Sequence, residues 1–156
     1  MKKKIALIIL ITALIDQITK FLVAVNMDVN TSVTLIKNVF NITYITNNGV
    51  AFGMFSNLSY VIILLSVVLL VVLTNELKKY FNSNLCVFSY ALIVGGLLGN
   101  LIDRIIFGHV RDFIDIAFIN FPVFNMSDIF ITVGVIMLLI ASYKLEVRYG
   151  KNKDKE

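Results

Sequence analysis

Charge is scarce in this sequence: Asp, Glu, Lys and Arg make up 15% of its 156 residues, where a soluble domain carries roughly 25%. Apolar residues take their place at 58%, and the mean hydropathy is +0.88. That excess excludes a small water-soluble globule, because a chain of this size leaves much of its surface exposed. Lipid is the solvent that removes the conflict. Cysteine is nearly absent as well. Cys86 stands alone, which excludes an intrachain disulfide and a Cys-rich metal site. The single His109 likewise excludes a His cluster. Cys86 reads as a packing residue and His109 as a polar loop residue. Proline occurs once, at Pro122, and no linker, low-complexity tract or internal repeat is visible, so residues 1–156 read as one domain.

What is present is a set of long apolar runs. A spanning helix needs about 20 predominantly apolar residues. Residues 5–25, 58–73, 85–106 and 129–147 qualify approximately, the second being the shortest and in need of flanking residues or tilt. Met1-Lys2-Lys3-Lys4 before an apolar run resembles a signal peptide. The run continues through Asp16, Gln17 and Lys20 to Val25 with no small-residue cleavage site, so an uncleaved first span is expected. Residues 26–57 differ in character. Phe40, Ile42 and Tyr44 alternate with Asn41, Thr43 and Ile45, and Asn47-Asn48-Gly49 supplies a turn signal. The expected fold is an α-helical integral membrane protein, with four transmembrane helices and a small extracytoplasmic sheet between helices 1 and 2.

The net charge of +4 does not require a nucleic-acid partner, because its distribution follows a membrane. Lys2, Lys3, Lys4, Lys78, Lys79, Lys144, Arg148, Lys151, Lys153 and Lys155 fall on one side of the four spans. Only Lys37 and Arg111 fall on the other, with Lys20 and Arg104 at or within span ends. The positive-inside rule then predicts both termini in the cytoplasm and the sheet facing outward.

Ionisable residues inside spans are expensive, and by default they suggest function. Asp16 and Lys20 share one face of the first span at i and i+4. They form either a structural ion pair, with Lys20 snorkelling outward, or part of a working scaffold. In the third span Gly95 and Gly99 make a small face for close helix approach. Asn100, Asp103 and Arg104 follow on one face near the outer end, which suggests a lined cavity. Asp112 stands in an aromatic and apolar stretch just outside the membrane. Asp128 stands at the mouth of the last span, where either it or Ser127 is the expected N-cap. Asp115 reads as a solvated or capping carboxylate. Two carboxylates brought close cannot both ionise cheaply; they share a proton and divide the roles of base and acid. Asp112 and Asp128 are at one depth, so the pair suits peptide hydrolysis without a metal or a cofactor. Periodicity alone leaves open whether they meet in space.

The motifs carry a more specific resemblance. Asp16-Gln17-Ile18-Thr19-Lys20, Asn47-Asn48-Gly49-Val50-Ala51-Phe52-Gly53, Gly99-Asn100 through Asp103-Arg104 to Asp112-Phe113, and Phe121-Pro122-Val123-Phe124-Asn125 with Asp128 occur in order along the chain. Together they resemble the motif set of bacterial prolipoprotein signal peptidases, the signal peptidase II family. The resemblance implies an intramembrane aspartic peptidase of the bacterial cytoplasmic membrane with its active site at the outer face. Its substrates would be prolipoproteins cut just before a cysteine carrying diacylglycerol. It implies Asp112 and Asp128 as the catalytic pair, Asn47, Asn100, Arg104 and Asn125 as substrate-site residues, and Asp16 and Lys20 as the span-one motif at that site. Membrane lipid and globomycin-type inhibitors are the other implied partners, and the outward sheet would be the family's cradle. Two departures, Ser127 where Ala is common and Asn48 where Thr is common, are small.

Two other classes share single features with this sequence. Asp103-Arg104 with Gly108 and Asp112 faintly resembles the carboxylate motif of CDP-alcohol phosphatidyltransferases, but the upstream half is missing and Asp115 is one residue too near. A small transporter relaying through Asp16, Lys20 and Asp103 would often show symmetry between its halves, and none is visible.

Overall fold

In the computed structural model, the structure describes residues 2–49, 59–77, 83–119 and 121–153. The second half of the Asn47–Gly53 motif, together with Leu58, Lys78, Lys79 and Lys155, lies outside them. The element order is α1 (Lys2–Asn26), β1 (Ser32–Ile36), β2 (Phe40–Asn47), α2 (Ser59–Leu77), α3 (Asn84–Phe107), β3 (Val110–Ile116) and α4 (Met126–Lys153).

The helices form where the apolar runs predict them. Among the described residues three segments are long and apolar enough to cross a membrane: Lys2–Asn26, Asn84–Phe107 and Met126–Lys144. α2 contributes a shorter apolar run, Val61–Asn75. α3 is the central helix, packed on α1, α2 and α4. Its buried residues include Cys86, Ala91 and Gly99, and Val87, Tyr90 and Val94 cluster there with Ile5 of α1. α1 and α4, by contrast, turn large apolar side chains such as Leu10, Phe21, Ile136 and Leu139 outward. An apolar helix that faces outward needs lipid around it. The chain is a multi-pass membrane protein.

Close approach between helices depends on glycine. A Cβ at Gly95 would sit 2.6 Å from Thr12 Cβ, and one at Gly99 would collide with Asp16 and with the Ser127 hydroxyl. The small face predicted on α3 therefore lets α1 in at Gly95 and lets both α1 and α4 in at Gly99.

The sheet corrects one expectation. Among the described residues it has three strands in the order β1-β2-β3, all antiparallel, and the third comes from between α3 and α4, not from between α1 and α2. α3 ends at Gly108, whose φ of 78° is left-handed and whose N–H bonds to Arg104 O at 3.1 Å. The chain reverses there and runs straight into β3. The register sets Ile45 opposite Asp112 and Thr46 opposite Arg111. β1 and β2 join through a turn in which Asn38 takes a φ of 60°. Beyond β3, Phe124 bridges Ile114: Ile114 N–H bonds Phe124 O at 2.8 Å and Phe124 N–H bonds Ile114 O at 3.1 Å. That bridge folds residues 121–125 back along β3 and delivers the start of α4 beside Asp112.

Candidate active site

α4 starts at a reciprocal cap. Asn125 Oδ1 accepts from the Asp128 N–H at 3.1 Å, and Asp128 Oδ2 accepts from the Asn125 N–H at 3.1 Å. This is capping-box logic with an amide and a carboxylate as the partners. The N-cap is thus Asn125; Ser127 and Asp128, the residues expected in that role, lie inside the first turn. Asp128 has one oxygen, Oδ1, left over, and it accepts from Asn100 Nδ2 at 2.9 Å.

Asp112 reaches the same place from β3. It is 2% exposed. Asn47 Nδ2 donates to its Oδ2 at 2.9 Å and Asn125 Nδ2 to its Oδ1 at 2.6 Å. Burial pushes the Asp112 carboxyl up to about 6, and the charge of Asp128 adds to the rise, while the Asn47 amide, the Asn125 amide and the Lys20 ammonium hold it down. Two carboxylates from different elements thus share a single asparagine: Asn125 touches Asp112 with its side chain and Asp128 with both its backbone and its side chain.

The amides at this site have only one sensible orientation. Asn100 Oδ1 accepts from Lys20 Nζ at 2.9 Å and from Asn125 Nδ2 at 3.0 Å. Flipping it would set its NH2 group against an ammonium, so Asn100 must present its donors to Asp128. Asn47 is held in the same way, with Gly49 N–H bonded to its Oδ1 at 3.0 Å. Donors therefore surround both carboxylates.

Asp112 and Asp128 face one cavity of about 390 Å³, with Asn47, Asn100 and Arg104 completing its polar wall. Apolar side chains such as Ile62, Leu97 and Phe124 supply the remainder. Arg104 Nη2 donates to Gly49 O at 3.1 Å, which leaves other guanidinium donors for a guest in the cavity.

The other predicted residues are elsewhere. Asp16, Lys20 and Asn125 are completely buried behind the cavity wall. Asp16 and Lys20 do pair, at 2.8 Å, but Lys20 does not snorkel. Its ammonium points inward to Asn100, and Asp16 Oδ1 accepts the Ser127 N–H at 2.8 Å. A buried cation with carboxylate and amide partners has no need of water. Asp103 leaves the face it was expected to share with Asn100 and Arg104. It turns toward α1 and β3, where it takes an ion pair from Arg111 at 2.7 Å and a hydrogen bond from Gln17 at 2.9 Å. Asp115 is not a cap: half-buried on the sheet, it accepts from Asn41 at 3.0 Å and Thr43 at 2.7 Å. Little in the sequence marks Arg111 as a partner of this region. Its only signal was an opposite charge, Asp103, on the far side of a glycine turn.

A family model described as signal peptidase (SPase) II matches residues 8–144. The chain belongs to the signal peptidase II family. The matched stretch contains every site residue from Asp16 to Asp128. Among its relatives, the lipoprotein signal peptidase of Halothermothrix orenii is 40% identical over 140 residues, covering 90% of this chain and 95% of that one. The lipoprotein signal peptidase of Streptococcus thermophilus is 37% identical over 147 residues, covering 92% and 96%. A solved bacterial membrane enzyme, determined by the in meso method at 2.3 Å, superposes with a TM-score of 0.79 at 33% identity, covering 91% of this chain and 88% of that one. A second, determined at 1.9 Å, gives 0.75 at 33% identity. The signal peptidase II family is one of peptidases that process lipoproteins, which sets aside the phosphatidyltransferase and transporter readings.

Proposed function

We propose that this signal peptidase II homologue is an aspartic endopeptidase that removes the signal peptide from diacylglyceryl-modified prolipoproteins, cutting just before the lipid-modified cysteine. The observation that carries this reading is the joint hold of Asn125 and Asn100 on Asp112 and Asp128 at one cavity. With one proton between them, the ionised carboxylate takes a proton from water, and the oxygen attacks the scissile carbonyl. The protonated carboxyl then delivers its proton to the leaving amine, and the pair is ready again after one exchange with solvent. Arg104 and the amide donors of Asn47 and Asn100 hold peptide carbonyls, and Arg104 meets the negative charge that develops on the attacked oxygen. Asp16 and Lys20 serve the site from behind the wall.

Four helices cross the bacterial cytoplasmic membrane in this reading, with α2 the fourth. Both termini are cytoplasmic, as the ten basic residues on that side indicate. The active site opens at the outer face, where acyl chains hold the modified cysteine, each buried CH2 contributing about 0.8 kcal/mol. Globomycin-type inhibitors occupy the same cavity. A cysteine placed at Asn38, in the β1–β2 turn, reacts with an impermeant maleimide in intact cells if this orientation holds; reaction only after lysis overturns it.

The test of activity is cleavage of a lipid-modified prolipoprotein peptide by the purified protein beside its Asp112→Asn variant. Release of the signal peptide by the parent and not by the variant is expected. Equal cleavage by both defeats the proposal.

A further inference from the structure

Arg111 precedes Asp112 in β3, and its chemistry is spent away from the cavity. Successive side chains of a strand point to opposite faces, so while Asp112 faces the cavity, Arg111 reaches back to α3 and α1. Its backbone N–H donates to Asp103 Oδ2 at 3.0 Å, Nε donates to the same oxygen at 3.0 Å, and Nη2 donates to Asp103 Oδ1 at 2.7 Å. Nη2 also donates to Gln17 Oε1 at 3.0 Å, and Gln17 Nε2 returns a bond to Asp103 Oδ1 at 2.9 Å. The guanidinium carbon lies 4.4 Å from the centre of the Phe107 ring. Asp103 is fully buried and Arg111 is 6% exposed.

This two-pronged pair has a lever arm of one residue. Asp103 lies three residues after Asn100 on α3, and Arg111 lies one residue before Asp112 on β3. One turn of α3 therefore holds Asp128, through Asn100, and the strand segment that carries Asp112, through Asp103. We infer that Arg111 is a positioning residue for the peptidase reaction: clamped on Asp103 and Gln17, it sets the distance between the Asp112 and Asp128 carboxylates. The inference rests on the aspartate pair as the catalytic groups. An arginine is required because a planar fork matches both carboxylate oxygens at once, whereas lysine offers a point charge.

The test compares kcat and KM for a lipid-modified prolipoprotein peptide across three variants of the full-length protein. Arg111→Lys keeps the charge and is expected to lower kcat by about 10- to 100-fold, since small displacements of reacting groups cost that much, with KM within about twofold of the parent. Arg111→Met leaves the buried Asp103 with Gln17, the backbone N–H of residue 111 and Lys20 at 3.6 Å but without the guanidinium, and is expected to lower melting temperature as well as kcat. The decisive variant pairs Arg111→Met with Asp103→Leu. Replacing both members of a buried ion pair by apolar groups commonly restores stability. Melting temperature is expected to recover while kcat stays low. Recovery of kcat along with stability, or normal kcat in Arg111→Lys, overturns the positioning role. If Asp112→Asn is inactive in the same assay, that outcome leaves the aspartate pair standing and removes only this inference; if Asp112→Asn is active, both fall.

Discussion

Asn125 and Asp128 cap one another, each accepting at 3.1 Å the backbone N–H of the other. The start of α4 and the placement of a proposed catalytic carboxylate are therefore one structural event. The same Asn125 uses its Nδ2 to hold Asp112 at 2.6 Å, so capping and active-site assembly are separable only by chemistry. Serine separates them. Asn125→Ser retains an oxygen for the Asp128 N–H but cannot extend a donor to Asp112. Its melting temperature should stay close to that of the parent while peptide turnover falls by at least about tenfold. Asn125→Ala should lose turnover and also about 1 kcal/mol of stability, the usual value of an N-cap. Turnover by Asn125→Ser at the parent's rate would show that the bond to Asp112 has no part in the reaction.

Ser127 presents the opposite case. Its backbone N–H is bonded to Asp16, yet its hydroxyl is buried with no hydrogen-bond partner among the described residues, and it crowds Gly99. An unmade hydrogen bond in a buried place costs about 1–3 kcal/mol. Ser127→Ala should therefore melt at the same temperature as the parent or higher, with unchanged turnover. A clear loss of stability would mean that the hydroxyl has a partner such as a bound water.

The contrast between what the sequence conveys and what it conceals follows from distance along the chain. The helices were legible because each carries its signal locally, as an apolar run. Asp112 and Asp128 were legible through ordered motifs, and Asp16 with Lys20 through i,i+4 spacing. β3 was not, because Arg111, Asp112 and Asp115 interrupt its apolar residues and its partner, β2, lies 65 residues earlier at the Asn47–Asp112 contact. The sequence leaves both an outward and an inward Lys20 open because its buried acceptor, Asn100, is 80 residues away. Asn125 was recognised as a motif residue, but its capping role needed the Phe124–Ile114 bridge to set where α4 begins. Pairings that chain reversal creates leave no periodic trace.

The raised Asp112 carboxyl makes a prediction about stability. In the unfolded chain an aspartate titrates near about 3.9; in the folded protein Asp112 is pushed up to about 6. Between these values the folded state binds more protons than the unfolded one, so stability falls as pH rises through that window. The loss levels off above the folded value, at an upper limit of about 3 kcal/mol. Asp112→Asn removes the titration. The variant's own NH2 group would face one of the amide donors of Asn47 and Asn125, which offsets its melting temperature at every pH, so the trend is what is read. Relative to the variant, the parent should lose melting temperature as pH is raised from about 4 to about 7. A parent protein that grows more stable relative to the variant as pH rises would contradict the buried, raised carboxyl.

The aspartates also make a joint prediction. Asn100 and Asn125 tie Asp112 and Asp128 into one bonded unit, so removing one member should disable the other. Asp112→Asn and Asp128→Asn should each abolish most cleavage of a lipid-modified peptide, and the double variant should lose little beyond the worse single one, since groups that act as a unit are non-additive. Asp128→Asn needs a parallel check of folding, because its carboxylate completes the cap of α4 and its loss there alone costs about 1 kcal/mol. Asp115→Asn is the internal control. Its carboxylate is occupied by Asn41 and Thr43 on the sheet, so it should retain substantial turnover with some loss of melting temperature. The measurement is turnover per amount of folded protein for the four variants. Losses that multiply in the double variant would mean that the two carboxylates act independently, and near-parental turnover by either single variant would remove the pair from the mechanism.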